Sequence, residues 1–263
     1  MIEIDGKLAT AEDLAALALC NYGHFTSMTV RDARVRGLGL HLDRLVSDCR
    51  AVFGADLDRD WVRQLVRRAA ERLPSPAVVR VTVFAPSLEL GHPGVELEPH
   101  VLVTARAAAV GRLSALRLAS VRYERDLAEV KHVGLFATVY HRRAAQLAGS
   151  DDVLFVDAAG QVLEGATWNI GFFDGQRVVW PRSVCLPGVT MRLVKQALAG
   201  TGMGSIEVPL DLSSVADMQA AFVTNAAVGV RAVASIDHMR FEEEPAIIDV
   251  LRQRYLGVSA DEV

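Results

Sequence analysis

The amino-acid sequence predicts an α+β protein with two domains. The chain has 263 residues, which is longer than most single domains. Its first half mixes helical and strand patterns, and its second half adds a strand-rich unit with further helices. Between them, residues 106–112 are mostly small and lack a clear period, as is typical of an interdomain connection. We expect a small N-terminal domain over residues 1–105, a connection over 106–115 and a larger C-terminal domain over 116–263.

The first half is predicted to contain two helices and two strands. Apolar residues recur at helical spacing from Leu42, and Gly54 ends this helix. A second helix begins near Asp58 or Asp60 and is ended by Pro74. Segments 77–84 and 100–105 are rich in Val and Thr, which favours strands.

The second half predicts strands that alternate with helices. A hairpin turn is indicated at Asp174-Gly175, between two short apolar runs. Helices are expected from about Leu135 to Leu147, from about Thr190 and from about Glu242. The predicted strands are 116–123, 152–157, 161–163, 168–173, 205–210 and 219–224.

Composition and charge narrow the class of protein. Hydrophobic residues make up 51% and charged residues 23%, which is typical of a packed globular core. The net charge of -4 is spread without a long basic block, which argues against a nucleic-acid or membrane partner. The N-terminus has no signal-peptide pattern, and no apolar stretch approaches the roughly 20 residues that span a bilayer. Cys20, Cys49 and Cys185 are widely spaced, so we expect a cytoplasmic protein without disulfides or a metal site.

Five short motifs stand out along the chain, in a fixed order. Lysine is rare here, with only Lys7, Lys131 and Lys195, so each lysine deserves inspection. Taken alone, Lys131 is best interpreted as a solvated surface lysine. In chain order, the motifs are Gly23-His-Phe-Thr-Ser27, His41-x-x-Arg44-Leu45, Lys131-His132 before a helix, Glu164-Gly-x-x-x-Asn169 followed by Leu186-Pro-Gly-x-Thr190, and Phe222-Val-Thr-Asn225.

Together these motifs resemble the class IV aminotransferases, which are pyridoxal-phosphate enzymes of fold type IV. That family includes branched-chain aminotransferases, D-amino-acid aminotransferases and aminodeoxychorismate lyase. The resemblance extends from about Gly23 to Thr224. It implies pyridoxal 5'-phosphate as cofactor, an active site between two domains, and a homodimer.

The resemblance also implies roles for individual residues. Lys131 would carry the cofactor as a Schiff base and move the proton, because its amine can both bond an aldehyde and exchange protons. Glu164 would pair with the protonated ring nitrogen. Arg44 would bind the phosphate, because a guanidinium matches it bidentately. The remaining cofactor-binding candidates are Asn169, Val189, Thr190 and Thr224, of which Val189 and Thr190 open a helix that attracts anions.

The substrate pocket is less well defined by the sequence. Candidate substrate residues are Phe25, Ser27, Arg106, Asn225 and Ala226, with Arg31, Arg34 and Arg36 as further partners for a carboxylate. Three positions depart from the family's pattern: Met191 precedes Arg192, Phe136 replaces a frequent Tyr, and Gly134 replaces a frequent Asn.

The expected reaction is transfer of an amino group from an amino acid to a 2-oxo acid. One alternative is a lyase that eliminates pyruvate from aminodeoxychorismate to form 4-aminobenzoate, using the same Lys131 as base. Another is a non-catalytic protein of the same fold, which would take up no pyridoxal phosphate and remain colourless.

Overall fold

A computed structural model describes residues 2–108, 111 and 113–263 of the chain. The chain forms two compact units and mixes helices with sheets, as the sequence predicts. Unit 1 comprises Met1–Val110, Val130–Gly134 and Ser259–Val263, and unit 2 comprises Gly111–Glu129 and Leu135–Val258. Residues 109, 110 and 112 of the expected connection lie outside the described residues, and the proposed boundaries stay a prediction.

The described residues form the following helices and strands. The helices are α1 (Ala11–Cys20), α2 (Leu38–Phe53), α3 (Arg59–Glu71), α4 (Phe136–Leu147), α5 (Val189–Leu198), α6 (Leu212–Val215) and α7 (Ala246–Leu256). The strands are β1 (Ile2–Ile4), β2 (Lys7–Leu8), β3 (Gly23–Val30), β4 (Arg34–Arg36), β5 (Ala77–Phe84), β6 (His100–Ala107), β7 (Leu116–Arg122), β8 (Asp152–Val156), β9 (Val162–Gly165), β10 (Asn169–Phe173), β11 (Arg177–Pro181), β12 (Gly204–Val208), β13 (Ala220–Asn225), β14 (Gly229–Ile236), β15 (Met239–Arg240) and β16 (Ala260–Glu262).

Unit 1 is built on an antiparallel sheet in the order β2-β1-β6-β5-β3. Strands β3 and β5 pair over their full lengths, from Gly23↔Phe84 to Val30↔Ala77. Alternate side chains of a strand point to opposite faces. One face, including Met28 and Val81, packs into a single core with Leu45 of α2 and Leu65 of α3. The other face carries the alternate residues, among them Phe25 and Ser27.

Both helices predicted in the first half are confirmed. Helix α2 ends where Gly54 adopts a left-handed conformation with φ 65°, and its N–H donates to the Arg50 carbonyl. Helix α3 begins after Asp58, whose side chain accepts the N–H groups of Asp60 and Trp61. An Asp at this position typically stabilises a helix by about 1 kcal/mol.

The last residues of the chain belong to unit 1. Strand β16 pairs antiparallel with β4, and the Val263 side chain lies in the unit 1 core with only 1% of its surface exposed. Arg67 Nε donates to the Val263 carbonyl at 2.5 Å. This segment therefore closes one side of the core next to α2 and α3.

Unit 2 is built on a mixed sheet in the order β12-β11-β10-β13-β14-β7-β8-β9, with β15 paired to β14. The predicted hairpin is confirmed, because Phe173↔Val178 pairing joins β10 to β11 across Asp174-Gly175. Two apolar clusters form its main cores, one around Phe172 and Trp168 and one around Trp180 and Phe222.

The start of the last helix differs from the sequence prediction. Helix α7 begins at Ala246 with Pro245 as its N-cap, and not near Glu242. The proline ring disfavours helical backbone at the residue before it, so Glu244 cannot continue a helix into Pro245. The acidic run therefore precedes the helix without forming its first turn.

Helix α2, with 16 residues, is shorter than a membrane-spanning helix. Within residues 2–108, 111 and 113–263, no helix has both the length and the apolar character to cross a membrane.

Candidate active site

Lys131 lies in unit 1, in a short segment that pairs with the edge strand β3. The Lys131 carbonyl accepts the Phe25 N–H at 2.8 Å, and the Val133 N–H donates to the Gly23 carbonyl at 2.9 Å. The Lys131 N–H donates to Asp48 Oδ2 of α2 at 3.0 Å. The backbone of Lys131 is thus held from the sheet on one side and from a helix on the other.

The Lys131 amine lies near Phe25, on the face of the unit 1 sheet opposite its apolar core. Its Nζ is 4.8 Å from the centre of the Phe25 ring, and the Arg80 guanidinium carbon is 3.7 Å from the same ring. Residues paired across neighbouring strands share a face. The pairs Ser27↔Arg80 and Val78↔Arg106 therefore place Phe25, Ser27, Arg80 and Arg106 on one face.

Arg80 was not among the residues singled out from the sequence. It is the one charged residue within the apolar strand β5, and this isolated charge was a usable signal. Burial lowers the pKa of Arg80 from its usual range. Arg34, by contrast, is ion-paired with Glu262 at 2.6 Å on the surface of the unit.

Two buried histidines lie in unit 1. His41 Nδ1 is 2.7 Å from the Thr26 hydroxyl, and burial, with the charges of Arg44 and Lys131, lowers the pKa of His41 to about 3. The positive charges of Arg44 and Lys131 therefore both disfavour protonation of the His41 imidazole. Burial also lowers the pKa of His24 to about 4. Both rings are neutral at physiological pH.

We expect these histidines to make folding sensitive to acid. Their folded pKa values lie below the unfolded value of 6.5, so the unfolded chain binds protons first as the pH falls. Stability is full above pH 6.5 and declines towards pH 4, by roughly 2 kcal/mol per histidine at pH 5. Urea unfolding at pH 8 and pH 5 measures this loss.

His24→Leu should remove part of that acid sensitivity, because it replaces a buried ring that lies near Phe53. His92→Gln is the matched control, since His92 is exposed. If the free energy of unfolding of His24→Leu falls between pH 8 and pH 5 as much as that of the wild-type protein, the prediction is wrong.

Glu164 lies in unit 2 and is held in a buried ion pair. Arg125 Nε donates to Glu164 Oε1 at 2.8 Å, and the Leu186 N–H donates to Oε2 at 3.2 Å. The exposed fractions of the Arg125 and Glu164 side chains are 10% and 7%. A carboxylate has about four acceptor positions, so Glu164 can accept a further N–H. Arg125 also donates to the Ala128 carbonyl.

The tight turn after Glu164 requires a glycine at position 165. The Gly165 N–H donates to the Trp168 carbonyl at 2.9 Å, and a Cβ on Gly165 would overlap the Trp168 ring. That ring is fixed because its Nε1 donates to Asp152 at 2.9 Å. The tight turn places Glu164 and Asn169 at the ends of β9 and β10.

Asn169 connects this turn to the N-terminus of α5. Its Nδ2 donates to the Leu186 carbonyl at 2.8 Å, and its Oδ1 lies where a Cβ of Gly188 would be. Gly188 is the N-cap of α5 and provides no side-chain cap. The N–H groups in the first turn of a helix lack partners within the helix and attract anions.

Two buried hydroxyls accompany that helix end. Thr190 lies in the first turn of α5, and Thr224 is the Cα partner of Asn169 on the neighbouring strand. Among the described residues, neither hydroxyl oxygen has a hydrogen-bond partner, although Thr190 and Thr224 are fully buried. Such hydroxyls usually mark a site for a bound group or a water.

The remaining candidates in unit 2 serve other contacts. Met191 packs into the core and Arg192 is exposed, so the extra residue in the motif turns this Arg outward. Asn225 Oδ1 accepts the N–H groups of Ala227 at 3.1 Å and Val228 at 2.9 Å. This cap shapes the turn that contains Ala226.

The family model described as amino-transferase class IV matches residues 23–236, so the chain belongs to the class IV aminotransferase family. This confirms the family predicted from the motifs. No curated protein sequence matches the chain.

Solved structures show the same fold. A branched-chain amino acid aminotransferase from Escherichia coli has a TM-score of 0.86 and 18% identity, covering 98% of this chain and 93% of its own. A hypothetical aminotransferase from Mycobacterium tuberculosis, in its PLP-bound form, has a TM-score of 0.85 and 20% identity over 98% of both chains. A provisionally assigned 4-amino-4-deoxychorismate lyase from Legionella pneumophila has a TM-score of 0.85 and 21% identity, covering 92% and 93%.

Proposed function

We propose that this protein is a pyridoxal-phosphate-dependent aminotransferase that moves an amino group between an amino acid and a 2-oxo acid. The family membership supports the reaction class. The observation that carries the proposal is the pair of buried hydroxyls of Thr190 and Thr224 beside the start of α5, which have no hydrogen-bond partner within the part of the chain that the structure describes. An anionic ligand at this place would satisfy both hydroxyls.

The residues of the chain fit pyridoxal phosphate at both ends. Val189, Thr190 and Thr224 would hold the phosphate together with Arg44, and Asn169 would shape the loop around it. Glu164 would accept the N–H of the protonated ring nitrogen with one of its remaining acceptor positions. When bound, the cofactor withdraws electrons from the substrate carbon that carries the amino group.

Lys131 would perform the proton transfers. Its Nζ would hold the cofactor through the aldehyde group. With substrate bound, the same Nζ would take a proton from the substrate carbon and return it. Glu164 would stabilise the positive ring nitrogen while the proton moves.

The hydroxyl pair offers a specific prediction. Replacing Thr190 and Thr224 together by Val should weaken pyridoxal-phosphate binding by at least tenfold, or about 1.4 kcal/mol. Stability without cofactor should stay equal or rise, because Val removes two buried polar groups that have no partner among the residues described. Equilibrium binding and urea unfolding measure the two effects. A loss of stability with unchanged binding would contradict the prediction.

The reaction itself is tested by a single half-reaction. Protein loaded with pyridoxal phosphate is mixed with L-amino acids, D-amino acids and amines, and in a separate sample with aminodeoxychorismate. The bound cofactor and the released products are then identified. A transaminase leaves pyridoxamine phosphate and one equivalent of 2-oxo acid. Pyruvate and 4-aminobenzoate from aminodeoxychorismate, with the cofactor unchanged, would identify the lyase, an alternative supported by the Lys131-His132 start of the motif.

The substrate and partner assignments extend this proposal. Phe25, Ser27 and Arg106 share one sheet face and would contact the substrate with Asn225 and Ala226. A homodimer is supported by apolar side chains exposed on α4, namely Phe136, Val139, Tyr140 and Leu147. The mass of the protein in solution measures that state. A cytoplasmic location fits the free thiols of Cys20, Cys49 and Cys185.

A further inference from the structure

Asp48 is a buried acid to which the sequence motifs assign no role. It lies on α2 with 5% of its surface exposed, and its Oδ2 accepts the Lys131 N–H at 3.0 Å. Aspartate is almost never this buried unless it is paired. The bond joins residues 83 positions apart, so it fixes the Lys131 segment to a distant helix.

We propose that Asp48 is a positioning residue for Lys131: by fixing the backbone of Lys131, it would place the amine where the cofactor aldehyde binds. This rests on the proposed function, in which Lys131 carries the cofactor. Phe25 fixes the Lys131 carbonyl, and Asp48 fixes the N–H of the same residue. With both backbone groups held, the Cα of Lys131 has little freedom, and only the side chain has to find the aldehyde.

Fixing the backbone of Lys131 affects the reaction rate more than the strength of one hydrogen bond suggests. A displacement of about 1 Å at a reacting group can cost roughly 100-fold in rate. A carboxylate is also a stronger acceptor for an N–H than a neutral oxygen. Asp48 lies one turn beyond Arg44 on the same helix. The two side chains therefore share one face of α2, the face of the residue proposed to bind the phosphate.

The experiment compares two forms of the cofactor. Pyridoxal phosphate binds through the phosphate and through a covalent bond to Lys131, which borohydride reduction and mass spectrometry trap. Pyridoxamine phosphate has no aldehyde and binds without that bond. Asp48→Ala should slow covalent attachment by roughly 10- to 100-fold and change the affinity for pyridoxamine phosphate by less than about threefold.

Three variants separate positioning from folding. Asp48→Asn keeps an acceptor oxygen and should restore most of the attachment rate. Asp48→Glu keeps the charge but moves the carboxylate by one methylene, and it should remain folded with slower attachment even if Asp48→Ala fails to fold. Asp58→Ala is the matched control, because it removes an Asp that accepts backbone N–H groups elsewhere in unit 1. It should leave attachment unchanged.

The outcomes distinguish the two proposals. Equal weakening of both cofactor forms in Asp48→Ala, or unchanged attachment in both Asp48→Ala and Asp48→Glu, would overturn the role of Asp48. If the trapped adduct persists in Lys131→Ala, the proposed function itself fails, whatever Asp48 does. In a Lys131→Ala background, Asp48→Ala should change the affinity for neither form.

Discussion

Lys131→Ala is expected to lower turnover by at least about 1,000-fold and to abolish the borohydride-trapped cofactor adduct. The variant removes the amine that bonds the cofactor and moves the proton. The fold should persist, because the backbone bonds from Lys131 to Phe25 and Asp48 are retained in alanine. The initial rate with a donor found in the half-reaction panel and the intact mass after reduction measure the two effects.

Lys195→Ala is the control for Lys131→Ala. Lys195 lies on α5, and its Nζ is ion-paired with Glu207 at 2.6 Å. Its removal should change the rate little, because no chemistry is assigned to this partly exposed ion pair. Full activity of Lys131→Ala, or an adduct that survives on another lysine, would show that the mechanism is wrong.

Arg125→Met is expected to destabilise the protein by about 3–5 kcal/mol, because it leaves the buried Glu164 carboxylate without its cation. Turnover should also fall by about 100-fold, since Glu164 would no longer be held in its place. Urea unfolding and steady-state kinetics measure these effects. Adding Glu164→Gln to Arg125→Met should recover stability, because no unpaired charge is then buried. It should not recover turnover, because the ring nitrogen would still lack the Glu164 carboxylate.

Arg117→Met is the control for Arg125→Met. Arg117 forms an ion pair with Asp151 at 3.2 Å, but both side chains are substantially exposed. Exposed ion pairs contribute little to stability, so the free energy of unfolding of this variant should be close to that of the wild-type protein. If Arg125→Met unfolds no more easily than Arg117→Met, the buried pair does not have the importance inferred for it.

The family and most helices and strands could be predicted because their signals are local. Gly54 ends α2, Asp58 begins α3, and Asp174-Gly175 turns a hairpin, each through the preferences of one or two residues. The predicted start of α7 is wrong because the acidic run also favours a helix N-terminus, whereas Pro245 sets the start at Ala246. Helix α1 was not predicted, although Thr10 and Asp13 form a capping box at its start.

The contacts that support the candidate site could not be predicted in the same way. Arg125 meets Glu164 across 39 residues, and Asp48 meets Lys131 across 83. Neither pair has a fixed spacing, because the sheets and helices bring them together only after folding. The motifs indicate which residues carry chemistry, whereas the side chains that hold those residues become visible only in three dimensions.

The position of Val263 in the core of unit 1 has a consequence for how the protein is made. A ribosome releases the N-terminal strands first, at roughly 5–20 residues per second. Strand β16 and Val263 are synthesised after all of unit 2, so unit 1 cannot complete its apolar interior before that strand is made. The nascent chain must therefore keep an incomplete first unit from aggregating until β16 has been synthesised.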